Sequence, residues 1–131
     1  MSRIVSILAL GALVAAPLGA QEAEEAQEVS VEIAVGRSVV DRMPVDTAST
    51  FPADVGELAC WTRVTGAAGT TIQHVWIHGD NEFPISLDIG GSPWRTWTTK
   101  TIPAEWDGEW RVEVREADGT VLATASFTVG G

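Results

Sequence analysis

Two histidines four residues apart, with a tryptophan midway, are the first side chains here whose types and spacing suggest chemistry: His74-Val75-Trp76-Ile77-His78. On a helix, residues four apart share a face, and imidazoles so placed chelate one metal ion. On a strand the same spacing separates them by about 13 Å, at about 3.3 Å per residue. A zinc ion with ligands at about 2 Å does not span that gap. Only a bulge, or Asp80 and Glu82 folding back onto His78, would rescue a site. The surrounding residues have strand texture, so neither a metal nor another cofactor is expected.

Nucleophilic chemistry would have to use Cys60, the sole cysteine, with His74. Both fall in strand-like runs rather than in loops around a cleft. A Gly-x-Ser-x-Gly elbow is absent. The many carboxylates form no spaced pair of glycosidase type, and the Gly-rich turns lack the Lys and helix start of a phosphate loop. The expectation is a protein that is not an enzyme, with Cys60 a small buried apolar residue.

Six tryptophans remain. Each buries about 150–250 Å² when enclosed, worth about 4–6 kcal/mol at about 25 cal/mol per Å². A domain of this size needs two or three of them inside. Trp110 shares a strand phase with Val112 and Val114 and belongs to the core. Leu58, Cys60 and Val64 make the apolar phase of their strand, which turns Trp61 and Arg63 outward. If Trp94, Thr96 and Thr98 face inward, Arg95 and Trp97 face out. Trp76 is open: its phase carries Ile72, His74 and His78, and the opposite phase carries Val75 and Ile77. Polarity argues for an outward Trp76, and the habit of sandwich strands for an inward one.

The elements that must position these residues are strands. Val31, Ile33 and Val35 alternate with Glu32, Ala34 and Gly36, and Arg37 to Met43 carries the run on to Pro44. Val45 to Val55 connects, with Phe51 plugging one end of the core. Further strands read from Leu58 to Val64, Thr71 to His78, Phe83 to Ile89, Trp94 to Lys100, Glu109 to Glu116 and Val121 to Val129. Gly, Pro and Asp turns separate them, Asp118-Gly119 being a hairpin signal. The expected fold is all-β: a single antiparallel immunoglobulin- or fibronectin-like β-sandwich of about seven strands over residues 30–131. The Cys-Trp-Cys pattern of true immunoglobulin domains is missing, so that likeness is architectural.

In a fibronectin-like arrangement the Trp61 and Trp97 strands pair, joining Trp61, Arg63, Arg95 and Trp97 in one patch. Arginine stacked on tryptophan is a common way to cover such a surface. Aromatic planes beside Arg and His equally suit sugar rings, glycan carboxylates or a partner's acidic segment. The candidate ligand-binding set is therefore Trp61, Arg63, Arg95 and Trp97, with His74, Trp76 and His78 beside it.

Before the domain, Ser2-Arg3 and the apolar run Ile4 to Ala16 read as a signal peptide over residues 1–20, cleaved after Ala20. The run is short of the ~20 residues that a bilayer crossing needs. Residues 21–29 follow as an acidic, solvated leader. Cleavage leaves seven basic residues against eighteen acidic ones. Nucleic acid and anionic membrane are poor partners for such a chain. A periplasmic or secreted product is expected, stabilised by its core and not by a disulfide.

Gly56-Glu57-Leu58-Ala59-Cys60-Trp61-Thr62-Arg63-Val64 and His74-Val75-Trp76-Ile77-His78 resemble blocks of the bacterial domain-of-unknown-function family 2914. Trp94-Arg95-Thr96-Trp97-Thr98-Thr99-Lys100 and Gly108-Glu109-Trp110-Arg111-Val112-Glu113-Val114 continue the match, over roughly Val35 to Val129. The resemblance implies a small β-domain of envelope-associated proteins and carries no activity with it. Two functions follow as expectations. One is a non-catalytic envelope module that binds a glycan or an envelope protein through its aromatic and Arg strand surface. The other is a structural or assembly domain whose Trp, Arg and His serve folding and partner docking.

Overall fold

Alternation of apolar and polar residues builds nearly all of the structure, a computed structural model that describes residues 28–130. The expected signal peptide and almost all of the expected acidic leader lie outside the described residues. Ten strands and no helix form among the described residues. They are β1 (Ser30–Gly36), β2 (Ser38–Val40), β3 (Met43–Val45), β4 (Thr50–Phe51), β5 (Gly56–Thr65), β6 (Thr71–His78), β7 (Asn81–Asp88), β8 (Trp94–Ile102), β9 (Gly108–Glu116) and β10 (Val121–Val129). The seven long ones coincide with the runs expected from periodicity; β2, β3 and β4 are short additions.

A five-stranded sheet runs β4-β10-β9-β6-β7, a three-stranded sheet runs β1-β5-β8, and β2-β3 forms a separate ribbon. The two larger sheets share one interior, so the fold is β-sandwich-like. Its pairings are antiparallel with one exception: β4 lies parallel to β10, with Thr50 beside Thr128 and Phe51 beside Val129. The connecting segment supplies this strand because Phe51 is drawn into the core, 2% exposed and edge-on to Phe127 at 5.9 Å.

The ribbon departs from expectation. Instead of prolonging the first strand, the chain reverses at Asp41-Arg42, where φ is 52° and 65°. Two successive left-handed residues give the twist that a two-residue hairpin needs. Gly36 permits the return, since a Cβ there would run into the Val45 carbonyl oxygen. The Arg37 N–H donates to that same oxygen at 3.0 Å.

The interior is stratified along the strands. One apolar cluster joins Leu58 and Cys60 of β5 to Trp76, Trp110, Val112, Phe127 and Phe51. A second, at the other end, joins Val64 to Ala67, Ile72, Ile89 and Val114. Between them lies a buried polar layer of Thr62, His74 and Thr98.

Candidate functional site

That polar layer settles the phase of β6. His74 and Trp76 are both 0% exposed and face the interior. The Trp76 indole N–H donates to Thr98 Oγ1 at 3.0 Å, and Thr98 Oγ1 lies 2.9 Å from His74 Nδ1. His74 Nε2 lies 3.1 Å from Thr62 Oγ1, whose hydroxyl donates to the Thr96 carbonyl at 3.1 Å. The directions follow from the ends. Thr62 spends its proton on Thr96, so it accepts from His74 Nε2–H. Nδ1 is then an acceptor, filled by the Thr98 hydroxyl, which in turn accepts from Trp76. Each buried donor has one partner, and the imidazole is neutral. Burial pushes its pKa down to about 4, in keeping with that state.

His74 and Trp76 therefore leave the candidate ligand-binding set. Their side chains tie the two sheets together from within, and no ligand on an outer face reaches them. His78 shares their phase at the rim of the interior. It is half-buried, its Nε2 2.8 Å from the Asp107 carbonyl, its ring beside Trp110 at 4.7 Å and Trp106 at 5.3 Å. Cys60 is buried, and burial pushes its thiol up to about 12, which removes the thiolate that a nucleophile requires.

The other four candidates do meet. In the β5–β8 register Trp61 lies opposite Trp97, and Arg63 opposite Arg95. Residues directly opposed on one face have Cβ atoms about 4.5–5.5 Å apart. Cys60, Thr62 and Val64 alternate inward, which puts both pairs on the outer face of the three-stranded sheet. Trp97 is 37% exposed there.

Trp61 has the outward phase expected of it but is only 5% exposed. The β2–β3 ribbon lies over this tryptophan, and its indole N–H donates to the Arg42 carbonyl at 2.9 Å. Trp61 is thus the floor of a cleft, not a free platform. The cleft measures about 410 Å³ and is walled by Glu32, Arg42, Met43, Arg63, Pro93 and Arg95. Arg42 and Met43 escape strand parity because Asp41-Arg42 lacks the Asn-Gly or Asp-Gly signature of a tight hairpin.

The arginines of this face are loosely held. Arg63 stands 3.7 Å from Glu32, with both side chains exposed, and Arg95 Nη1 donates to Met43 Sδ at 3.4 Å. The one cation–π contact among the described residues is Lys100 over Phe83, at 4.2 Å. Covering the tryptophans by stacking is therefore not what Arg63 and Arg95 do. A larger depression of about 770 Å³ lies beside β6, β9 and β10, lined by Ser49, Thr50, Ser126, Thr128, Glu109 and Arg111 among others. The aromatic residues of its lining, Trp110 and Phe127, are 2% and 3% exposed. Its arginine is hydrogen-bonded to Glu113 at 3.0 Å. It offers neither an open indole nor a loosely held cation. Among the described residues, no three His, Cys, Asp or Glu side chains group in a way that would hold a metal ion.

Fold and face together define a β-sandwich-like domain with an arginine- and tryptophan-lined cleft on its smaller sheet. Residues 69–129 match the family described as "Protein of unknown function (DUF2914)". The match spans β6 to β10, taking in Arg95 and Trp97; Trp61, Arg63 and the ribbon precede it. No curated protein matches the chain. Among solved structures, a β-glucosidase from Listeria innocua in complex with glucose is similar at 13% identity and a TM-score of 0.42. β-Glucosidase 3B from Thermotoga neapolitana, also in complex with glucose, is similar at 14% identity and the same score. Both alignments cover 79% of this chain and 16% of the other, so the chain spans a small fraction of those enzymes.

Proposed function

We propose that this chain is a non-catalytic binding module of the bacterial envelope, exported and of fibronectin-like type, that captures its ligand on the outer face of the three-stranded sheet. The observation carrying this reading is Arg63 beside Arg95, next to an exposed Trp97 and above a cleft floored by Trp61. The fibronectin-like type is supported by seven long strands divided into β1-β5-β8 and β10-β9-β6-β7. A role without catalysis is supported by the sealing of Cys60 and His74 inside. The face offers planar rings and guanidiniums, which suit recognition.

A glycan array probed with the purified protein tests this, with tryptophan emission followed for each hit. Saturable binding with quenched emission is expected. A stoichiometric envelope protein captured by a chain that binds no glycan would favour a structural or assembly role instead. What supports that second reading is β8, a nine-residue edge strand open to pairing on one side.

A further inference from the structure

We infer that the ligand of this face is an acidic saccharide, its carboxylate held between the Arg63 and Arg95 guanidiniums and its ring laid on Trp97. The inference rests on the binding reading above and narrows its ligand.

Charge placement carries the first step. The chain has a formal net charge of −10, yet Arg42, Arg63 and Arg95 converge on one cleft. Like charges directly opposite across a strand pair are unfavourable. Arg63 and Arg95 occupy such a pair, and what faces them is Glu32 at 3.7 Å and the Met43 sulfur. A bound anion relieves that repulsion. The planar fork of each guanidinium matches a carboxylate, and two forks on adjacent strands converge on one.

Position carries the second step. Trp97 follows Arg95 by two residues on the same face, about 7 Å along the strand. An anion at the arginines therefore places its attached ring against the indole. Met43, whose sulfur accepts from Arg95, adds apolar wall beside the bound carboxylate. An acidic peptide is the weaker fit: extended peptides pair with sheet edges through main-chain hydrogen bonds, and this cleft lies on a sheet face.

The test titrates the full chain with trigalacturonate, trimannuronate and sialyllactose, with the methyl esters of the same sugars, with hexaglutamate and with inorganic phosphate. Tryptophan emission is followed at low salt and at about 1 M salt, where the Debye length is about 3 Å. Expected is saturable binding of at least one acidic sugar, weakened by salt, with its methyl ester weaker by about tenfold or more. Arg63→Gln and Arg95→Gln should each weaken it by about tenfold or more without a large fall in melting temperature. Arg95→Lys should recover only part of the loss, because lysine keeps the charge without the fork. An ester as tight as its acid, or hexaglutamate or phosphate tighter than every sugar, overturns the inference. If neutral sugars alone quench Trp97, the acidic ligand falls and the binding reading stands. If no array glycan and no probe binds, both fall.

Discussion

On the outer face of the five-stranded sheet, Arg111, Glu113 and Arg115 alternate along β9 and close on one another. Arg111 reaches Glu113 at 3.0 Å, and Arg115 reaches Glu113 at 2.7 Å and Glu82 at 3.3 Å. The Arg111 hydrogen bond foremost, and Arg115 after it, holds the Glu113 carboxyl below the usual range. Val75 and Ile77 have the outward phase here yet are 0% and 2% exposed. They lie in register beside Glu113 and Arg111, whose long stems lie over such apolar surface. On the three-stranded sheet Arg63 and Arg95 oppose each other directly, and the only carboxylate paired with them among the described residues is exposed Glu32, 3.7 Å from Arg63. The same residue type is held in a carboxylate ladder on one face and left loosely held on the other.

The largest expected contrast separates two tryptophans. Trp76→Ala should cost about 3–5 kcal/mol, since it empties the centre of the core and takes a hydrogen bond from Thr98. Trp97→Ala should cost clearly less, about 1–2 kcal/mol, because more than a third of its surface is already exposed. Chemical unfolding of both variants checks this, and equal losses would erase the distinction between core and face.

Next in size is a pH effect from the inner layer. His74 has a folded pKa of about 4 against the ordinary 6.5, so the unfolded chain takes up the proton first as pH falls. Its contribution is complete above pH 6.5 and is lost between pH 6.5 and about 4, totalling roughly 3 kcal/mol. Unfolding midpoints measured across that window should fall with pH in the wild type. The slope should flatten in His74→Gln; an identical slope would mean that other groups carry it.

The two faces should respond in opposite ways to losing a charge. Glu113→Gln opens the ladder between two arginines and should cost about 1 kcal/mol, less at high salt, without touching ligand binding. Arg95→Ala removes a like-charge neighbour of Arg63 and should raise stability slightly, by about 0.2–1 kcal/mol, while weakening binding. A stability loss on both faces, read from paired melts, would make the Arg63–Arg95 pair structural.

Strand parity made much of this legible in the sequence. Leu58, Cys60 and Val64 face in, as do Trp110, Val112 and Val114, and the Trp61 and Trp97 strands pair as their patterns imply. Trp76 resisted because His74 and His78 share its phase, and imidazoles argue for water. Their inward placement depends on Thr62 and Thr98, hydroxyls on two other strands that no local pattern connects to His74. The cleft was only half legible. Its floor and two arginines follow from alternation, whereas Arg42 and Met43 arrive through a hairpin that turns on non-glycine residues with positive φ. The burial of Val75 and Ile77 likewise depends on side chains from a neighbouring strand.

The outer face of the three-stranded sheet as a ligand surface is tested most directly by Trp97→Ala, melted and probed on the glycan array in the same preparation. The expected result is a melting temperature lowered by less than half as much as in Trp76→Ala, together with loss of the wild-type glycan signal. A melting temperature lowered as far as in Trp76→Ala, or an undiminished glycan signal, would contradict it.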